Sequence, residues 1–184
     1  DYPINIDTDT IAVDGSQIST KQLYYIKFHK PAGYITAVED RSHPVVMDLL
    51  PPEFKKMGVF PVGRLDKDTE GLLLLTNDGV WAHSIINGHK HVPKVYYVEF
   101  HGILSKEGLE RISVGIVLGD GIQCKPATIN ILSDKSLEIT IEEGKYHQVK
   151  RMIGAAGGEV TYLKRLSVGH ITLSGIEEIN TYLE

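Results

Sequence analysis

The stretch Gly63-Arg64-Leu65-Asp66-Lys67-Asp68-Thr69-Glu70-Gly71 sets three carboxylates and an arginine between two glycines, and the apolar run Leu72-Leu73-Leu74-Leu75 follows directly. Charge packed against a buried run is costly unless a partner or a task accounts for it. Asp66 reads as a nucleophile. Two other chemistries compete. Asp66, Asp68, Glu70 and Gly71 match the first half of a calcium-binding loop, but the position where such loops place a bidentate glutamate holds Asn77. Asp66 and Asp68 could form an acid–base pair, since residues two apart share a side in extended chain. Such pairs usually converge from different elements, however, and Asp68 and Glu70 read otherwise as scaffold or solvated loop charges.

A second cluster lies far along the chain. Val149, Met152, Ile153 and Ala156 have the spacing of one helical face. His147, Lys150 and Arg151 lie partly on the opposite face. They form either an ordinary solvated basic surface or a surface from which Lys150 turns inward to a buried aspartate. The eight histidines show no zinc-helix spacing, and His83 and His101 read as surface or partly buried groups.

These residues need elements to hold them. Leu23–Phe28 and Lys94–Phe100 read as strands, and Leu72–Leu75 as a strand buried on both faces. His29 to Gly33 reads as a turn, and Val45–Leu50 as a helical turn stopped by Pro51-Pro52. Asn77 or Asp78 can cap a helix through Trp81, Ile85 and Ile86 that ends at Asn87-Gly88, and Ser105 can cap another that Gly108 weakens. Ala127–Leu132 and Leu137–Ile141 alternate like a hairpin turning at Ser133–Ser136. Gly157-Gly158 ends the late helix, and Glu159–Leu166 and His170–Leu173 close the chain as strands. Residues 1–20 read as a polar linker or edge strand ahead of a domain over 21–184. The fold expected is α+β, a mostly antiparallel sheet with a few helices.

A charged fraction of 23% and a hydrophobic fraction of 42% suit a globular protein that buries a core without staples. The single cysteine, Cys124, excludes an internal disulfide framework and fits a cytoplasmic setting. No apolar run approaches membrane-spanning length. The net charge of −5 argues against nucleic acid only on average. Residues 1–20 carry four aspartates and no Lys or Arg, whereas Lys145, Lys150, Arg151, Lys164 and Arg165 face only Glu159 within their segment. Screening acts over roughly 8 Å at physiological salt, so that segment can grip phosphates on an acidic molecule.

Four separated blocks occur in order: Gly63-Arg64-Leu65-Asp66 with Thr69-x-Gly71-Leu72, then Lys94-x-Tyr96, then Glu143 through Met152, with Lys30-Pro31-x-Gly33 and Thr76-Asn77-Asp78-Gly79 beside them. Over residues 23–173 the chain resembles the RNA pseudouridine synthases, specifically the RsuA-like branch that modifies ribosomal RNA. The resemblance implies a central, mostly antiparallel mixed sheet in two sub-lobes with flanking helices and a catalytic cleft. It implies a reaction that detaches uracil from ribose, turns it and rejoins it through carbon, with no cofactor and no metal. Carried over by position, Asp66 is the catalytic aspartate, Tyr96 stacks on the flipped base, and Lys150, where many relatives have Arg, pairs with Asp66. RNA contacts fall to Arg64, Lys145, His147, Gln148, Arg151, Lys164 and Arg165. Val149 and Met152 would floor the cleft. The partner expected is a structured uridine-containing ribosomal RNA, most plainly that of the small subunit, acted on by a monomer. The competing reading is a non-catalytic RNA-binding or ribosome-assembly module on the same fold. Relatives begin with a small S4-type RNA-binding domain, which residues 1–20 would follow, and the Gly175–Asn180 ending lacks the basic character of the branch.

Overall fold

The four consecutive leucines lie at the centre of a strand with apolar cores on both sides. The computed structural model describes residues 11–14, 16–18, 22–87 and 90–184. Its strands are β1 (Ile11–Val13), β2 (Ser16–Ile18), β3 (Tyr25–Lys30), β4 (Phe60–Val62), β5 (Glu70–Thr76), β6 (Lys94–Gly102), β7 (Thr128–Ser133), β8 (Ser136–Ile141), β9 (Gly158–Val168), β10 (Ile171–Thr172) and β11 (Tyr182–Leu183). Its helices are α1 (Pro52–Lys56), α2 (Gly79–Ile86), α3 (Lys106–Val114) and α4 (Gln148–Ala155), with a 3-10 turn over Val46–Leu49.

The main sheet runs β11-β3-β5-β9-β6-β8-β7, with β4 beside β5 and β10 beside β9. Its neighbours are antiparallel except at one place: β5 and β9 pair in parallel, through Glu70 with Lys164 and Gly71 with Arg165. That short junction joins the two sub-lobes. Leu73 and Leu75 enter a core with Phe28, Val98, Ile139, Met152 and Ile153, while Leu72 and Leu74 enter a second core with Val62, Ala82 and Val168. Each fully buried leucine side chain contributes about 1.5–3 kcal/mol. β5 is therefore anchored on both faces just downstream of Asp66.

Gly71 makes the junction possible. Its φ is +106°, and a Cβ there would lie 2.2 Å from the Arg165 carbonyl oxygen. Gly71→Ala is expected to lower stability by about 3 kcal/mol through overpacking and a strained backbone. Denaturant unfolding measures this. Gly108 is explained in the same way. It lies inside α3, which Ser105 caps, and a Cβ would meet the Ala156 Cα at 2.7 Å, so a close helix contact outweighs helix propensity.

Several boundaries differ from expectation. His29 and Lys30 complete β3 instead of turning the chain. The helical turn over Val46–Leu49 does stop ahead of Pro51-Pro52, but a second short helix that was not expected, α1, starts at Pro52, where a missing N–H costs nothing. β4 and β11 carried too short a pattern to be read. Most of residues 1–20 lies outside the described residues; β1 and β2 within it pair with each other, apart from the main sheet. Gly88 and His89 also lie outside them.

Candidate active site

Asp66 sits in the loop between β4 and β5, and the elements around it fix that loop from below. Lys30, at the end of β3, is fully buried. Its Nζ donates to the carbonyls of Thr69 (2.8 Å), Pro31 (3.0 Å) and Asp66 (3.1 Å), with that of Lys67 at 3.4 Å. The Thr36 hydroxyl bonds both the N–H and the carbonyl of Leu65. One ammonium thus ties the turn after β3 to the backbone of Asp66 and the residues after it, while Thr36 holds Leu65 just before it. The sequence marks Lys30 only as part of a motif block; its burial in a Tyr-Ile-Lys-Phe-His-Lys strand was the missed signal.

Burial pushes the Lys30 ammonium down from 10.5 to about 8, against the pull of Asp68, Asp66 and Glu70. Between pH 8 and 10.5 the unfolded lysine keeps a proton that the folded one has released. The contribution of Lys30 to stability is therefore smallest below pH 8 and grows across that window. The neutral amine has fewer protons to offer four carbonyls. Thermal stability is expected to rise with pH while turnover falls above about pH 8. Melting and rate profiles over pH 7–10 would test this pairing, and Lys30→Met should abolish the divergence.

Across the loop, the N-terminal turn of α4 brings Lys150 to 3.3 Å from Asp66 Oδ2 and 2.6 Å from Asp68 Oδ1. The inward reading of Lys150 is the one observed. Burial alone would lower its pKa, but the Asp68 hydrogen bond and the charges of Asp66 and Asp68 hold it above the ordinary lysine range. Asp68 feels burial raising its pKa, yet Lys150 keeps it below the usual carboxylate value. Asp68 is thus an ion-pair partner of Lys150 while its side chain stays largely exposed to solvent. Glu70 turns the other way and accepts from the Tyr162 hydroxyl at 2.6 Å. The three carboxylates do not converge as a calcium loop would require.

His147 Nε2 lies 3.5 Å from Asp66 Oδ1. Arg64, Leu65, Asp66 and Thr69 form one wall of a cleft of about 440 Å³ open to solvent, and Tyr96, Ile141, Leu163 and the segment around Gly144–Val149 form the other. Tyr96 is 8% exposed, with Val149 beside it in the lining, while Met152 is buried beneath. The cleft lies at the β5–β9 junction. The Thr69 hydroxyl, buried in its wall, has no hydrogen-bond partner among the described residues.

The basic contacts divide. Arg64 stands exposed on the rim. Arg165 is 4% exposed, and its Nε donates to the Leu72 carbonyl at 2.7 Å, so it fastens β9 to β5 and cannot grip an external phosphate. Lys164 alternates with Leu163 and Arg165 and faces the side of the sheet away from the cleft. Gln148 is buried: its Nε2 donates to Glu143 (2.7 Å) and its Oε1 accepts from the Lys145 N–H (2.9 Å). Lys145 pairs with Glu143 at 3.1 Å and donates to the Gln123 carbonyl. Arg151 pairs with Asp120. The segment that looked basic is partly neutralised by Glu143, just ahead of it in the chain, and by Asp120, Asp66 and Asp68 from distant segments.

A loop aspartate paired with a lysine, beside a buried aromatic ring that lines a cleft between two sub-lobes, is an arrangement for chemistry on a planar group. Residues 24–155 match the family described as RNA pseudouridylate synthase. The chain belongs to that family, whose members are isomerases acting on RNA. Among relatives, it is 44% identical over 174 residues to an uncharacterised RNA pseudouridine synthase, YtzG, of Bacillus subtilis, covering 92% of this chain and 73% of that one. It is 37% identical over 171 residues to ribosomal small subunit pseudouridine synthase A of Pasteurella multocida, covering 90% and 72%. A crystal structure of a pseudouridylate synthase superposes with a TM-score of 0.81 at 32% identity, covering 99% of this chain and 78% of that one. These relatives are those of the RsuA-like branch.

Proposed function

We propose that this chain isomerises one uridine of ribosomal RNA to pseudouridine, the small-subunit RNA being the substrate, and that it acts as a monomer in the cytoplasm. The ribosomal assignment rests on similarity to ribosomal small subunit pseudouridine synthases such as the Pasteurella multocida enzyme. Among the described residues no helix is long and apolar enough to cross a membrane.

The observation that carries the catalytic part is the meeting of three distant segments: Asp66 from the β4–β5 loop and Tyr96 from β6 line one cleft, and Lys150 from α4 lies 3.3 Å from Asp66. A uridine inside structured RNA hides its glycosidic bond, so it must be flipped out, at a cost of a few kcal/mol. Stacking on Tyr96 offsets part of that cost. Asp66 then acts as the nucleophile, oriented by Lys150 at 3.3 Å. A carboxylate oxygen of Asp66 bonds to C1′ as the bond from C1′ to N1 breaks; the base turns, and C1′ then bonds to C5 as its bond to Asp66 breaks, which restores the free carboxylate. The proton lost from C5 is balanced by one gained at N1. Thr69 offers its free hydroxyl to the base from the cleft wall. Arg64 on the rim faces the RNA, where phosphate contacts position it without reading sequence. Release of tritium from RNA carrying 5-tritiated uridine tests the reaction: stoichiometric release is expected, and none would overturn the proposal.

A further inference from the structure

We infer that the ring pair Tyr146–His147 is a stacking platform for the RNA base adjoining the flipped uridine. The inference rests on the function proposed above. Tyr146 is 70% exposed, one of the largest apolar surfaces left on the rim of the cleft. Its ring lies against the His147 imidazole with centroids 3.8 Å apart and planes 17° from parallel. His147 itself lines the cleft and reaches within 3.5 Å of Asp66 Oδ1. The stack therefore starts at the reacting carboxylate and ends in solvent, with the outer face of Tyr146 uncovered.

The backbone beneath is held firmly. Glu143 Oε1 accepts from the Lys125 N–H at 2.8 Å and from Gln148 Nε2 at 2.7 Å. Gln148 Oε1 accepts from the Lys145 N–H at 2.9 Å, and Arg151 Nη1 donates to the Tyr146 carbonyl at 3.3 Å. His147 is kept at φ 46°, ψ 35°, a left-handed conformation unfavourable for a side-chain-bearing residue. Fixed backbone, local strain and an open aromatic face together serve no packing purpose. They suit a planar ligand that arrives from outside. When a uridine leaves its stack, the neighbouring base loses a partner face. A ring already in place at the cleft rim supplies one, and it does so whatever the base, because every base has a π-face.

The test uses short single-stranded RNAs with a central uridine and 2-aminopurine on its 5′ or 3′ side. Wild type and Tyr146→Phe should quench the fluorescence from one flank. Tyr146→Ala should lose that quench and bind about tenfold more weakly, with an unchanged melting temperature. In turnover of ribosomal RNA the same change should appear in KM, with kcat retained. No quench from either flank with wild type would overturn the inference, as would Tyr146→Ala with native affinity, or Tyr146→Phe as weak as Tyr146→Ala. A wild type that releases tritium from 5-tritiated RNA yet quenches neither probe refutes the platform alone. A wild type that does neither refutes the proposed function as well.

Discussion

Asp66→Asn is expected to bind RNA with native affinity and to release tritium from 5-tritiated RNA at least about 10⁴-fold more slowly than wild type. The substitution keeps the side chain's size and removes its charge. The loop should not move, because the Lys30 ammonium holds its backbone through carbonyls and not through the Asp66 carboxylate. Lys150 also keeps its shorter contact, to Asp68 at 2.6 Å. What disappears is the proposed nucleophile, since a neutral amide cannot replace a carboxylate attacking carbon. Retained binding with lost turnover separates chemistry from recognition. It also separates the enzyme from a binding module on the same fold, for which Asp66 would be dispensable.

Lys150→Met should be the next most damaging change. It leaves Asp66 and Asp68 facing each other without the ammonium that lies 3.3 Å and 2.6 Å from them. The two carboxylates then lose the cation that ties them together, and Asp66 is no longer fixed for attack. A fall of about 10²–10³-fold in kcat is expected, the scale of losing one fixed electrostatic partner. KM should change little, since the side chain is turned into the loop and not toward the RNA. Lys150→Arg should keep most of the activity, because a guanidinium can reach both carboxylates. Steady-state kinetics of the two variants side by side measures this. Equal losses in both would mean that the lysine acts through its shape rather than its charge.

Where a local pattern was dominated by one force, the sequence was readable. Leu72–Leu75 could only be a strand buried on both faces, and Asp78 and Ser105 cap α2 and α3 as their side-chain chemistry requires. The meeting of Asp66, Tyr96 and Lys150 was legible only through the resemblance, since residues that far apart share no local signal. Contacts made at a distance hid the rest. Arg165 looks like a phosphate contact until the junction with Leu72 buries it. Asp120 reaches the basic segment from another part of the chain and claims Arg151, while Glu143, just outside the counted segment, claims Lys145. Asp68 and Glu70 are two residues apart in one motif, yet one pairs with α4 and the other with β9. Charge counting along a chain cannot assign such partners, because each ion pair is chosen by the tertiary fold.

The most direct measurement is a pseudouridine map of small-subunit and large-subunit ribosomal RNA from cells lacking this protein, complemented with wild type or with Asp66→Asn. One small-subunit pseudouridine should vanish in the deletion, return with wild type and stay absent with Asp66→Asn. Maps that match in all strains, or a site restored by Asp66→Asn, would contradict the account.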